Sequence, residues 1–213
     1  MIETRDASLV YEDHGREVFA CRDVDLEVGG DQFVGVLGPS GSGKSSLLYL
    51  LSGLKDPSLG RVLYGGKDYS QMSESERGEL RLRKFGFVFQ QPFLLGYLSV
   101  IENVALAGAN SRARALDLLD RVGLKEKAHR LPSELSGGEK QRACVARALY
   151  TEPEVIFADE PTASLDHATG ETVIQLLRTL RKGALVVVTH DPSMLEDADR
   201  VLRMEEGVVT ETV

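Results

Sequence analysis

Gly38-Pro39-Ser40-Gly41-Ser42-Gly43-Lys44-Ser45 fits the spacing G-x-x-x-x-G-K-[ST] of a phosphate-binding loop. Its context agrees, because the apolar run Phe33–Leu37 (FVGVL) precedes it and an apolar helix start, Ser46-Leu47-Leu48, follows. The glycines let the backbone bend so that successive N–H groups point inward at phosphate oxygens. The next helix adds the positive end of its dipole. Lys44 is then expected to reach the β- and γ-phosphates, and the Ser45 hydroxyl to bind Mg²⁺. Gly38, Ser40, Gly41, Ser42, Gly43 and Ser46 complete the expected phosphate cradle.

A nucleotide hydrolase also needs a carboxylate for the metal and a group that handles the attacking water. Val155-Ile156-Phe157-Ala158-Asp159-Glu160 offers both at the end of an apolar strand. Asp159 is expected to hold Mg²⁺, and Glu160 to accept the proton of the attacking water or position it. Alone, Asp-Glu-Pro would also suit a strand that ends at a turn. Leu135-Ser136-Gly137-Gly138-Glu139-Lys140-Gln141-Arg142 is a second glycine-bearing segment that opens a helix, Glu139–Tyr150. It makes a second anion-binding device, here without the lysine that directly follows the last glycine of the first. One nucleotide cannot easily use both devices of one compact protomer, whereas a head-to-tail pair of protomers lets each offer its second device to the other's nucleotide.

These residues need a scaffold of alternating strands and helices. Short, fully apolar runs at Phe33–Leu37, Phe85–Phe89, Val155–Ala158 and Ala184–Val188 read as strands of a mainly parallel sheet covered on both faces. In Thr169–Lys182, Val173, Leu176, Leu177 and Leu180 recur at helical spacing. The order implies a layered α/β core. From Gln91 to Glu134 the pattern has helical segments, Val100–Ala107 and Arg112–Val122, and no convincing strand. It reads as a helical lobe that returns to the core near Glu154. Arg200–Val213 reads as a hairpin turning at Glu205–Gly207. The chain is thus expected to be one domain, with 1–90 and 154–213 as the core and 91–153 as the inserted lobe.

The 213 residues carry 25 Lys+Arg against 33 Asp+Glu, a formal charge of −8. That balance argues against non-specific nucleic-acid binding, which needs a basic stripe, and no nucleic-acid partner is expected. The longest apolar runs, Leu47–Leu51 and Ala184–Val188, fall far short of the about 20 residues of a bilayer span. The N-terminus has no basic region followed by an apolar core, so no signal peptide is expected. Cys21 and Cys144 are the only cysteines and lack metal-ligand spacing, which suits free thiols.

Taken together, GPSGSGKS, Phe89-Gln90-Gln91, LSGGEKQR, VIFADEP, Ser164-Leu165-Asp166 and the lone His190 after ALVVVT resemble the ATP-binding cassette (ABC) ATPases. The resemblance covers essentially the whole chain, and LSGGEKQR is its most specific element. It implies a P-loop NTPase core of ABC type with an N-terminal antiparallel β part, ATP and Mg²⁺ as ligands, and hydrolysis within a homodimer of cassettes. By position, Gln90 matches the glutamine that senses Mg²⁺ and water. Ser136, Gly137 and Gly138 match the signature that closes on the partner's ATP. Asp166 matches the aspartate that crosses the dimer interface, and His190 the switch histidine at the γ-phosphate. Tyr11 matches the aromatic that stacks on adenine, although an aromatic on a strand also suits the core.

The resemblance further implies a separate integral membrane subunit and a peripheral place on the cytoplasmic side of the inner (plasma) membrane. The lobe is the expected docking surface, near Gln90 and the loop Phe93–Tyr97. FGFVFQQPFLLGYLSVIENV and the compact lobe look most like the group of lipoprotein-release, macrolide-export and cell-division cassettes. Gly96, where that group often has proline, and Ala163-Ser164, in place of its usual Gly-Asn, depart from the pattern. An importer cassette, or an ATPase that pulls on a membrane complex without moving a substrate, has the same chemistry. A chromosome-maintenance ATPase would need a long coiled coil between Lys44 and Ser136, and no heptad run lies there.

Overall fold

A computed structural model describes residues 1–106, 108 and 111–212. In chain order the elements begin with strands β1 (Ile2–Asp13), β2 (Arg16–Val28) and β3 (Phe33–Leu37), helix α1 (Lys44–Leu51), and strands β4 (Leu59–Tyr64) and β5 (Lys67–Asp68). Next come α2 (Glu74–Lys84), β6 (Phe85–Phe89), α3 (Val100–Ala105), α4 (Arg112–Arg121), α5 (Gly137–Leu149) and β7 (Val155–Asp159). The chain closes with α6 (His167–Leu180), β8 (Ala184–Thr189), β9 (Arg200–Glu205) and β10 (Val208–Thr212). Two compact units result, Met1–Arg81 with Val186–Val213, and Leu82–Leu185.

The first unit holds an antiparallel sheet of order β2-β1-β4-β5 and the strands β10-β9-β3-β8 of a mostly parallel one. Three of its hairpins share one device. Asp13 pairs with Arg16, Tyr64 with Lys67 and Glu205 with Val208, leaving His14-Gly15, Gly65-Gly66 and Glu206-Gly207 as two-residue loops. All six loop residues have positive φ, the geometry whose twist matches that of the flanking strands. α1 lies in the core, with Leu47, Leu48, Leu50 and Leu51 fully buried. Each such side chain contributes about 1.5–3 kcal/mol over its exposed state.

In the second unit β6 and β7 run parallel, Phe85 opposite Val155 through Phe89 opposite Asp159. α5 packs against β6, α3, α4 and α6, and buries Ala143, Cys144, Val145, Ala146, Ala148 and Leu149. Small residues permit that central place. A Cβ on Gly86 of β6 would come 2.5 Å from the Ala148 carbonyl oxygen.

The expected strands at Phe33–Leu37 and Phe85–Phe89 form with those bounds, and those at 155–158 and 184–188 each gain one residue, the buried Asp159 and Thr189. The hairpin turns where expected, and its last expected residue, Val213, lies outside the described residues. The helix foreseen over 100–107 ends at Ala105, and Ala107 lies outside the described residues. α6 starts two residues before the expected Thr169, because Asp166 caps it. α5 likewise starts at Gly137 rather than Glu139, capped by Ser136. α2 was not foreseen, since it buries no residue and so carries no apolar stripe. Polar contacts hold it instead: Arg77 pairs with Asp56, Arg81 with Glu74 at 2.7 Å, and Arg81 Nη1 donates to the Gly53 carbonyl at 2.8 Å.

Candidate functional site

In the first unit the loop after β3 is shaped by its own lysine. Lys44, only 6% exposed, turns its Nζ back to donate to the carbonyls of Gly38 (2.8 Å) and Pro39 (3.0 Å), bracing the loop from inside. Two glycines are obligatory. Gly43 has φ 103° and a Cβ there would lie 1.9 Å from the Ala20 carbonyl oxygen, while one on Gly38 would lie 2.2 Å from that of Met204. At Gly43 and Gly38 the loop thus lies against the backbones of β2 and β9 with no room for a side chain.

The donors suit an anion. α1 begins at Lys44 with no side-chain cap and no acidic residue in its first turn, so the positive end of its dipole is uncompensated by its own sequence. The Ser42 hydroxyl is buried without a hydrogen-bond partner. Ser40 and Gly41 are exposed, and Ser45 and Ser46 half-buried at the helix start. Ser40, Gly41 and Ser42 line a hollow of about 640 Å³ with Arg22, Glu205 and Glu206. Arg22, whose guanidinium lies 4.4 Å over the Phe19 ring, was not singled out from the sequence, since a lone arginine on a strand carries no motif.

His190 is exposed directly after β8, which neighbours β3. Its loop is fixed by Asp191, whose N–H donates to Thr189 Oγ1 at 3.1 Å and whose carboxylate accepts from the N–H and hydroxyl of Ser193. Tyr11 stands in the β1–β2 hairpin opposite Val18 and is 38% exposed, so it is not a core aromatic. It does not line the hollow at the loop.

In the second unit the β6–β7 register does the positioning. Phe89 faces Asp159, so Gln90 and Glu160 each follow one member of a strand pair, at the carboxyl ends where α/β sheets bind ligands. Asp159 is 8% exposed, and Glu160 is half-buried with φ 45°. That left-handed backbone is uncommon for a glutamate, the kind of local strain that clusters at functional sites.

Ser136, Gly137, Gly138, Arg142, Ser164 and Asp166 line a second hollow of about 280 Å³, so the structure joins the two segments that the sequence presents separately. Ser136 caps α5, accepting from the Glu139 N–H at 3.3 Å, while the Ser136 N–H donates to Glu139 at 2.9 Å. Lys127 at 2.5 Å and the Ser136 N–H hold the Glu139 carboxyl well below its ordinary value, at about 2. Asp166 caps α6, accepting from the N–H (3.0 Å) and hydroxyl (2.7 Å) of Thr169, which lower its pKa. The buried thiols are silent at neutral pH, because burial pushes Cys21 up to about 12 and Cys144 to about 11.

A phosphate-binding loop in an α/β core, with carboxylates at strand ends and a glycine-opened second helix, defines a nucleotide-hydrolysing cassette. The sequence matches the ABC transporter family over residues 21–163. It is 41% identical over 221 residues to the lipoprotein-releasing system ATP-binding protein LolD of Pseudomonas syringae pv. tomato, covering 99% of this chain and 97% of that protein. To the LolD of Wigglesworthia glossinidia brevipalpis it is 36% identical over 217 residues, covering 97% and 95%. The dimeric structure of a post-hydrolysis state of the ATP-binding cassette MJ0796, bound to ADP and Pi, superposes with a TM-score of 0.92 at 36% identity, covering 100% of this chain and 98% of that one. The chain belongs to the ABC transporter family. Within it, the chain is an ATP-binding, ATP-hydrolysing cassette subunit, an ATPase. Among the described residues no helix is long and apolar enough to cross a membrane.

Proposed function

We propose that two copies of this cassette clamp two MgATP molecules and use the closing and opening of the pair to drive a separate integral membrane subunit of the lipoprotein-release type. The observation that carries the reading is the hollow that joins Ser136–Gly138 to Asp166, since no lysine lines it and a nucleotide presented by a second copy would complete it. The dimeric MJ0796 cassette and the LolD relatives support it.

The roles follow from residue chemistry. Lys44, with Gly38, Ser40, Gly41, Ser42, Gly43, Ser45 and Ser46, binds the triphosphate, and Tyr11 stacks on the base. Glu160 takes the proton of the attacking water, with Gln90 and His190 orienting water and γ-phosphate. The donor set fits Mg²⁺: the Ser45 hydroxyl, the Gln90 amide oxygen and the Asp159 carboxylate are hard oxygen ligands, few enough to leave positions for phosphates and water. When bound, the ion neutralises charge on the β- and γ-phosphate oxygens. Hydrolysis breaks the bond that holds the γ-phosphate. When the phosphate leaves, the charge shared by the two copies goes with it, so the differential affinity for the closed pair disappears and it opens.

The lobe, residues 91–153, is the docking face, and the exposed Phe93 (63%) and Tyr97 (77%) are its apolar contacts with the membrane subunit. The cassette then sits peripherally on the cytoplasmic side of the inner membrane, with no nucleic-acid partner. The test is a pull-down of tagged Glu160→Gln protein from native membranes with MgATP. Co-purification of an integral membrane protein at about equal stoichiometry supports this reading. Recovery of ribosomes, DNA-associated proteins or nothing overturns the membrane coupling and leaves the ATPase standing.

A further inference from the structure

Between β6 and α3 the chain runs for ten residues, 90–99, with neither helix nor strand. Irregular backbone must find its hydrogen bonds elsewhere, and at the start of this segment α5 supplies them. Gln141 Nε2 donates to the Phe89 carbonyl at 2.9 Å, and Cys144 Sγ lies 2.9 Å from the Pro92 carbonyl oxygen as an S–H donor. Arg147 spreads its fork over two carbonyls, Nη2 on Pro92 at 2.9 Å and Nη1 on Phe93 at 2.8 Å. The three donors stand at i, i+3 and i+6, one face of the helix. Gln141 is 2% exposed and Cys144 fully buried.

The held segment is also strained. Phe93 has φ 44°, a genuine outlier for a bulky residue. Its ring meets Phe89 edge-on at 5.8 Å, and its carbonyl is the one Arg147 grips. Beyond it, buried Asn103 accepts from the Leu95 N–H at 2.7 Å and donates to the carbonyls of Leu95, Leu98 and Ser99. Gln90 thus lies at the start of a stretch that side chains of α5 hold as far as Phe93 and Asn103 of α3 holds beyond it.

We propose that Gln141, Cys144 and Arg147 form a bracket through which α5 sets the path of the Gln90 loop, and that Arg147 is a positioning residue for hydrolysis. The proposal rests on the role assigned to Gln90. Because α5 is one rigid helix of 13 residues, a displacement at its signature end reaches the bracket, which runs from about 6 Å away at Gln141 to about 15 Å at Arg147. Phe93, exposed on the same loop, moves with it.

The test compares Arg147→Met, which keeps the apolar stem and removes both donors, with Arg147→Lys, which reaches one carbonyl. The expected result for Arg147→Met is a fall in kcat of about tenfold or more with KM for ATP within about twofold, since a misplaced positioning group costs turnover rather than binding. Amide exchange across 90–98 quickens while that of 38–46 is unchanged, and Arg147→Lys falls between. Wild-type turnover, or unaltered exchange over 90–98, overturns the bracket. Should Arg147→Met not fold, Cys144→Ala removes the weakest donor, and exchange over 90–98 must still quicken. Gln90→Ala is measured alongside. Wild-type turnover there removes the Gln90 role, an outcome separate from failure of the bracket, which is read in the exchange.

Discussion

Gly138 packs so closely against Thr169 that a Cβ on the glycine would lie 2.5 Å from Cγ2 of the threonine. Thr169 cannot turn aside, because its hydroxyl and N–H are both bound by Asp166 and its branched side chain is stiff. Gly137, one residue earlier, has Leu165 at 3.8 Å as its nearest such contact. The two glycines therefore differ: packing within the chain requires Gly138, whereas the space beside Gly137 is open.

The difference is measurable. Gly138→Ala destabilises the fold by about 1–3 kcal/mol through overpacking, read as a lower denaturant midpoint. Gly137→Asp keeps wild-type stability, since the space is open and a carboxylate suits the first turn of a helix. On the proposed two-cassette clamp it nonetheless places negative charge where the partner's phosphate would come, so ATP-induced dimerisation is expected to disappear and turnover to fall by about 100-fold or more. Survival of both in Gly137→Asp would sink the two-cassette clamp.

Glu160→Gln is isosteric and retains the side chain on its left-handed backbone while removing the proposed proton acceptor. Binding of a fluorescent ATP analogue is expected to remain, with turnover reduced by about 10²–10⁴-fold. Wild-type turnover would take Glu160 out of the reaction.

Asp166 holds α6 as well as its place in the signature hollow, and two substitutions separate those duties. Asp166→Asn keeps a capping acceptor for the Thr169 N–H and leaves Tm unchanged, whereas Asp166→Ala lowers Tm by about 2–4 °C. If the carboxylate also crosses to a second cassette, Asp166→Asn lowers ATPase activity at unchanged Tm. Full activity in Asp166→Asn would confine the residue to capping.

Glu139 links the signature helix to acid stability. Its folded-state pKa, about 2, lies below the ordinary 4.5 because Lys127 and the Ser136 N–H favour the carboxylate. Its contribution is therefore complete above the unfolded value and is lost as pH falls from about 4.5 towards 2. Glu139→Gln can still accept from the Ser136 N–H but does not titrate there, so its Tm falls less steeply over that interval than the wild type's. Parallel Tm–pH curves would contradict the assigned ion pair.

Much of this protein is determined locally and is legible in its residues. The phosphate loop needs Gly38, Gly43 and Lys44 at set offsets, and the buried strands are contiguous apolar runs, so both can be read without knowing what packs on them. The hairpin at Glu205–Gly207 is likewise a local event. Tertiary structure alone decided what depends on register and long-range packing. That Gln90 and Glu160 emerge side by side follows from Phe89 pairing with Asp159, 70 residues along the chain. That Gly138 tolerates no methyl group follows from Thr169 on another helix. α2, which buries nothing, and the grip of Arg147 on Pro92 and Phe93 leave no periodic trace, because ion pairs and side-chain bonds to irregular backbone depend on where the chain has already folded.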